Sequence, residues 1–237
     1  MQLIFMTIFF RKIISVRYQP IVHLHSSHIC GLEVLSRFKL PIIGFINPSF
    51  VFRAAALFRI SHLLSVLIIK FVKSDILDGR LVRFSSGQLE YLSLNVLKPD
   101  LSNKYLIDNI INLNELLPSK LKLVVELVED DYLDIENKAL MIGLSRLRCK
   151  KIFVALDDFG KQCNSYREVM RVNPDIIKID RDLLTNIPLI ESLNKKFQRM
   201  GFIVVIEGIE DLSTAMMVNS IGFTYAQGYY FYRPLEI

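Results

Sequence analysis

Cysteine is scarce in this chain, and the few present exclude several chemistries. Cys30, Cys149 and Cys163 are the only three in 237 residues. An odd number without metal-type spacing argues against a disulfide framework and against a thiolate zinc site, so a reducing, cytoplasmic setting is expected. Long apolar runs are missing too. The stretch from Pro41 to Val72 is broken by Arg53, Arg59, His62 and Lys70 into pieces shorter than the roughly 20 residues a membrane span requires. A buried amphipathic helix is expected there, with helical character over Phe50 to Val72. In the opening MQLIFMTIFFRKIISVR the positive charges follow the apolar stretch and no small-residue cleavage site appears, so no signal peptide is expected. No Pro-rich, Ser-rich or low-complexity linker is visible. One domain over residues 1–237 is expected, with residues 1–17 as an N-terminal extension or helix. Although the net charge is +5, Lys and Arg are scattered, with no basic run or aromatic-basic interleaving. That pattern speaks against a nucleic-acid groove and for a small anionic ligand; neither nucleic acid nor membrane is an expected partner.

What is abundant is apolar sequence that stops at a polar residue. Hydrophobic residues make up 51% of the chain, enough for a large core. Seven apolar runs each end at or run into a group able to bind metal or phosphate: ICGLE at Glu33, YLSLN at Asn95, LVVE at Glu126, FVALDD at Asp157 and Asp158, IIKID at Lys178, VVIE at Glu207 and TYAQG at Gln227. A parallel barrel strand has this form when its C-terminal end faces a reaction centre. The strands expected are Tyr18 to Leu24 and Ile29 to Leu35, joined as an antiparallel hairpin through His25 to His28, then Tyr91 to Asn95, Leu121 to Leu127, Ile152 to Asp157, Ile176 to Ile179, Ile203 to Ile206 and Thr224 to Ala226. Recurrence every 20 to 30 residues leaves room for the crossover helix that a parallel connection needs. The fold class expected is α/β, a modified TIM-type (β/α)8 barrel with an antiparallel opening strand.

Carboxylates gathered in one mouth raise each other's pKa unless a cation neutralises them. Glu33, Asn95, Glu126, Asp157 and Asp158 offer oxygen ligands alone, the preference of Mg²⁺ or Mn²⁺. Adjacent Asp157 and Asp158 suggest one carboxylate bridging two ions, an arrangement suited to clamping a phosphodiester. Lys178 adds a fixed positive charge for an attacking water or a developing phosphate charge. His23, His25 and His28 are expected to be surface histidines at the hairpin turn, away from Glu33, and Tyr229, Tyr230, Phe231 and Tyr232 to fill core.

Eight segments in order then carry a family resemblance: YQPIV (Tyr18 to Val22), LEVLSRF (Leu32 to Phe38), SLN (ending at Asn95), ELVED (Glu126 to Asp130), LDDFG (Leu156 to Gly160), IKID (Ile177 to Asp180), IEGIE (Ile206 to Glu210) and QGYYFYRP (Gln227 to Pro234). The chain resembles the EAL-domain phosphodiesterases, which hydrolyse cyclic di-GMP to linear pGpG. The resemblance implies metal ligands at Glu33, Asn95, Glu126, Asp157, Asp158 and Glu207 for two ions of Mg²⁺ or Mn²⁺, and catalytic roles for Lys178, Glu207 and Glu33. Glu207 matches a glutamate described either as a ligand of the second metal or as general base. Gln19, Leu35, Arg37, Gln227 and Pro234 match substrate-side positions, Glu129 matches a loop-anchoring glutamate, and a homodimer is implied.

Several positions depart from the family. Where it usually reads Thr-Gly-Tyr-Ser-Ser after the paired aspartates, this chain has Lys161, Gln162, Cys163, Asn164 and Ser165. A glycine replaced by Gln162 is strained wherever the backbone needs positive φ. Val34 replaces the central alanine of the name motif, His23 stands where an acid is frequent, and Lys39 to Arg83 resembles the family only faintly. Two functions follow as expectations: a metal-dependent phosphodiesterase, or a degenerate relative that binds cyclic di-GMP or a regulatory protein partner without turnover.

Overall fold

A computed structural model describes residues 13–84, 89–128, 138–161 and 166–237. Nine strands are present among them: β1 (Ile14–His23), β2 (Ile29–Leu40), β3 (Gly44–Ile46), β4 (Tyr91–Leu97), β5 (Lys122–Val128), β6 (Phe153–Phe159), β7 (Ile176–Ile179), β8 (Ile203–Ile206) and β9 (Tyr225–Ala226). Seven helices accompany them: α1 (Pro48–Leu57), α2 (Ser61–Leu77), α3 (Lys104–Asn114), α4 (Lys138–Cys149), α5 (Tyr166–Val172), α6 (Ile187–Arg199) and α7 (Leu212–Ser220). Strand order runs β1-β9-β8-β7-β6-β5-β4-β2, and β1 pairs with β2 to close an eight-stranded barrel, with β3 appended outside β2. β1 is antiparallel to both neighbours, whereas the pairs from β2 through β4 to β9 are parallel. This is the modified barrel expected from the sequence.

Period-two alternation explains what fills it. Within β5 to β9, the residues two positions before the predicted site residues, Val124, Ala155, Ile176, Val205 and Tyr225, cluster with Ile21 and Tyr91 in one apolar group. Successive strand side chains point to opposite faces, so residues two apart share one. The apolar layer therefore lies directly below the polar ends. A larger cluster, including Leu92, Leu94, Val125, Leu127, Ile107 and Leu144, packs α2, α3 and α4 against the barrel's outside. A second, including Ile177, Ile179, Val204, Ile206 and Phe197, does the same for α6 and α7.

Four expectations need correction. β1 opens at Ile14, so residues 14–17 belong to the barrel and not to an extension; residues 1–12 lie outside the described residues. The single buried helix expected over Phe50 to Val72 is two helices, separated where Arg59 takes φ 58°. Of the first of these, only Ala55 is buried. Tyr229, Tyr230 and Tyr232 are exposed, and Phe231 alone of that group packs partly on the core. The histidines lie where expected, at the β1–β2 turn, with His23 stacked on His28 at 5.2 Å between ring centroids.

Close approach makes one glycine indispensable. Gly31 in β2 is registered against Tyr91 in β4, and a β-carbon there would sit 2.4 Å from the Tyr91 ring. The ring fills the space that a larger residue at 31 would claim. Gly31→Ala is expected to destabilise the fold by about 1–3 kcal/mol, the usual effect of overpacking a filled interior, read as a lower midpoint in urea unfolding with an unchanged m value. An unaltered midpoint would show that the ring relaxes without cost.

Candidate active site

Five strands deliver charged side chains to one point at the mouth of the barrel. Lys178, on β7 and 2% exposed, places its Nζ 2.7 Å from Glu207, 2.8 Å from Glu126, 3.1 Å from Asp157 and 3.2 Å from Glu33. These acids come from the end of β8, from β5, from β6 and from β2. Asn95 Nδ2 on β4 donates to Glu33 Oε1 at 2.8 Å. Gln227 Nε2, just after β9, donates to Glu33 Oε2 at 2.8 Å. Every barrel strand but β1 thus contributes a side chain to this hydrogen-bonded cluster. β1 supplies Gln19, in register with Glu33, but its side chain turns to the backbone carbonyl of Tyr232 at 3.4 Å.

Asp157 and Asp158 are neighbours, and in a regular strand they would face opposite sides. The β6–β7 register shifts between Leu156 and Phe159, and Asp158 takes φ 53°, in the left-handed region. This bulge re-aims the second aspartate, and a short polar side chain tolerates that backbone better than most. As a result Asp157, Asp158 and Glu207 each bring a carboxylate oxygen within 4.8 Å of the others.

The charges are not balanced from within. Burial and the proximity of Glu33 and Asp157 push the Glu126 carboxyl up to about 8, against the pull of Lys178. Burial and Asp157 push Asp158 up to about 6. Glu207 is likewise raised by burial, Asp157 and Glu33, more than Lys178 lowers it. For Glu33, burial is outweighed by Lys178 and the amides of Asn95 and Gln227, which hold it below the usual carboxylate range. Burial would lower the Lys178 ammonium, but the surrounding acids hold it well above the ordinary lysine value.

A divalent cation fits this donor set. Asn95 Oδ1 and Gln227 Oε1 are buried without a hydrogen-bond partner among the described residues, and an orphaned amide oxygen beside crowded carboxylates is a costly arrangement unless a cation meets it. Glu33, Asn95, Glu126, Asp157, Asp158 and Glu207 are the residues able to hold such ions, and their all-oxygen chemistry suits Mg²⁺ or Mn²⁺.

A cavity of about 820 Å³ opens on this cluster. Glu33, Leu35, Arg37, Asn95, Asp157, Asp158 and Lys161 line it, joined by Phe52, Arg53, Ser65 and Ile68 from α1 and α2. Leu35 and Arg37, expected on the substrate side, both line this cavity. Gln19, Gln227 and Pro234 lie outside the cavity lining; Pro234 adjoins Leu235, which bridges to Tyr18 of β1. Glu129 and Gln162 to Ser165 fall outside the described residues. Sequence reasoning did not anticipate Arg53 and Ser65 in the wall, which sit in the stretch that resembled the family least. Nor did it anticipate Lys161 as a cation of the site. Its Nζ lies 2.8 Å from Asp158 and 2.7 Å from Asp180. Those bonds outweigh burial and raise its pKa, so it stands charged. A lysine three residues after the paired aspartates was the available signal.

Comparison with known proteins agrees with this geometry. Residues 8–234 match the EAL domain family. The chain is 26% identical over 240 residues to the probable cyclic di-GMP phosphodiesterase PdeN of Escherichia coli, covering 98% of this chain and 45% of that protein. It is 28% identical over 228 residues to the cyclic di-GMP phosphodiesterase RocR of Pseudomonas aeruginosa, covering 92% of this chain and 56% of that one. The chain thus spans about half the length of these curated relatives. Among solved structures, the PaMucR phosphodiesterase in complex with c-di-GMP shares the fold with a TM-score of 0.80 at 19% identity, covering 99% of this chain and 98% of that one. On the match along nearly its whole length, this chain belongs to the EAL domain family.

Proposed function

We infer that this domain hydrolyses cyclic di-GMP to linear pGpG, dependent on two ions of Mg²⁺ or Mn²⁺. The observation that carries the reading is the convergence of Glu33, Glu126, Asp157 and Glu207 on one buried lysine, with Asp158 beside them. Bound divalent ions would supply the Lewis acidity that activates water and stabilises charge on a phosphodiester. Glu33, Asn95, Glu126, Asp157, Asp158 and Glu207 would hold them. Lys178 would supply a fixed positive charge and a hydrogen bond to the attacking water. Its neighbours keep it protonated, so it acts as a donor and a charge rather than as a base. Arg37 and Arg53 line the cavity wall and suit the phosphates of an anionic dinucleotide. The names of the relatives supply the substrate, cyclic di-GMP.

One observation favours the degenerate alternative. The Lys161 ammonium already pairs with Asp158, a proposed ligand of the second ion, and like charges at that distance compete. A resident cation there would lower affinity for the second metal without touching Glu33, Asn95 and Glu126, which would hold the first. Reduced turnover with retained cyclic di-GMP binding is the consequence of that competition if it dominates.

Incubating the purified protein with cyclic di-GMP and Mn²⁺ or Mg²⁺, with pGpG followed by chromatography, tests the activity. The expected result is metal-dependent pGpG that falls by at least about a hundred-fold in Glu33→Gln, which removes the charge of a proposed metal ligand, the scale of losing one preorganised electrostatic interaction at the reacting centre. Absence of product from folded wild-type protein would remove the hydrolase reading and leave the binding one. Metal occupancy has its own readout. Mn²⁺ is expected to raise the melting temperature, and Lys161→Thr to shift the Mn²⁺ concentration needed down by about ten-fold, the equivalent of about 1.4 kcal/mol between neighbouring like charges. An identical metal titration in the variant would sink the competition between Lys161 and the second ion.

A further inference from the structure

Among the described residues, exposed apolar side chains are densest along one stretch of the chain. Eight of the 23 large hydrophobic residues that stand exposed among the described ones fall between Ile42 and Leu63. They include the three most exposed, Ile42 at 97%, Leu57 at 85% and Phe58 at 76%. They come from the β2–β3 turn, β3, α1, the link to α2 and the first turn of α2. The pattern is regular. Phe45 points out of β3 while Gly44 and Ile46 are half-buried, and Phe50 and Leu57, seven residues apart, share one face of α1. An exposed apolar grouping of this kind marks an interaction site.

Charge identifies what it meets. Sequence reading treated the basic residues as scattered, and by position they are, but the acids are not. Residues 1–74 hold nine Lys or Arg and a single acid, Glu33, whereas the rest of the chain holds 20 basic and 23 acidic residues. That one acid is buried in the site. Arg37 and Arg53 face the cavity, so a substrate accounts for them. It does not account for Lys39, Arg59 and Lys70, which are exposed and line no part of that cavity. Lys39 lies in register with Phe45 and places its Nζ 5.5 Å from that ring's centroid, and Arg59 directly follows Phe58. Basic and apolar groups therefore alternate on one lobe, as in helices and loops that lie in the headgroup region of a bilayer. Ile13 is held beside the same lobe, its carbonyl accepting a hydrogen bond from Lys39 N–H at 2.7 Å.

We propose that the lobe formed by β3 and α1 is a docking face for the surface of an anionic phospholipid bilayer. The bilayer lies against the face without being crossed; no described helix is long and apolar enough to cross a membrane. A second copy of the chain would bring the same positive lobe against this one, and an anionic surface satisfies both the apolar and the basic groups. The inference is independent of catalysis.

Co-sedimentation of the purified protein with vesicles, read without substrate or added metal, tests it. Binding to phosphatidylglycerol-containing vesicles, lost in high salt and much weaker on phosphatidylcholine alone, is expected. Ile42→Ser/Leu57→Ser/Phe58→Ser is expected to weaken binding by at least about ten-fold. Lys39→Gln/Arg59→Gln, which leaves the apolar groups in place, should lower it on the order of twenty-fold, at roughly five-fold per basic group near a charged surface. Thermal melts establish that both variants fold. Wild-type protein that stays in the supernatant would overturn the proposal, and all the more if the apolar variant turns a dimer into a monomer on gel filtration, which would assign the face to a second copy. Full binding by both variants, abolished by deleting residues 1–12, would also overturn it, assigning the contact to that segment alone.

Discussion

The structure turns on one ammonium group. Lys178 is nearly inaccessible to water, and four carboxylates from four different strand ends lie within 3.2 Å of it. Taking a charged amine out of water costs several kcal/mol after relaxation, and only close opposite charge offsets that cost. The acids bear the same constraint in reverse, since each needs the lysine more than the lysine needs any one of them. Their answers differ: Glu33 collects two amide donors besides the lysine and stays acidic, while Glu126, with fewer partners, is pushed up to about 8. The barrel's top is thus stable as a set and frustrated in its parts. Such residual imbalance is typical of places built to receive a cation or a reacting charge.

Core and site follow from the same alternation. On β5, β6, β7 and β8 the residue that reaches the centre and the residue two before it point the same way, so an inward carboxylate or amine stands on an inward aliphatic one. Val124 under Glu126 and Ile176 under Lys178 are such pairs. A packed floor excludes water from below and lowers the local dielectric, which strengthens every charge interaction above it. Past Asp157, β6 breaks the alternation. Its bulge and the left-handed Asp158 let two adjacent carboxylates share one centre, and the same distortion sets Asp158 within reach of Lys161.

This division also explains which parts were legible in the sequence. β7 is buried throughout and β8 at all but its first residue; both lie in apolar runs that meet a charged residue, and they were bounded correctly to the residue. The cluster of Glu33, Asn95, Glu126, Asp157, Lys178 and Glu207 was legible because strand ends in a parallel barrel must converge. Ile14 to Arg17 was not, since ISVR alternates weakly and its partner, the far end of β2, lies 18 to 24 residues away. The break between α1 and α2 carries neither proline nor glycine; Arg59 makes the turn with its own backbone. Lys161 was read as part of a departed loop motif because its partner Asp180 is brought near by packing across β6 and β7, not by spacing. The C-terminal tyrosines failed for a different reason: aromatic composition suggests burial, yet phenol rings bearing a hydroxyl tolerate a solvated edge.

α1 joins the two parts of the molecule that the barrel does not explain. On one side Pro48, Ser49 and Phe52 line the cavity above the acids, with Phe52 set edge-on to Phe38 at 6.1 Å. On the other, Phe50 and Leu57 face solvent. Ala55 is its only buried residue, and a methyl group contributes little apolar area to hold a helix in place. Such an element draws much of its positional stability from whatever contacts its two faces. A ligand in the cavity and a surface against the outer face would therefore bias the same helix, and by linkage each would change the affinity for the other. The wall of the cavity is the one part of the site mounted off the barrel, so it is there, and not at the rigid strand ends, that occupancy of the outer face can reach the chemistry.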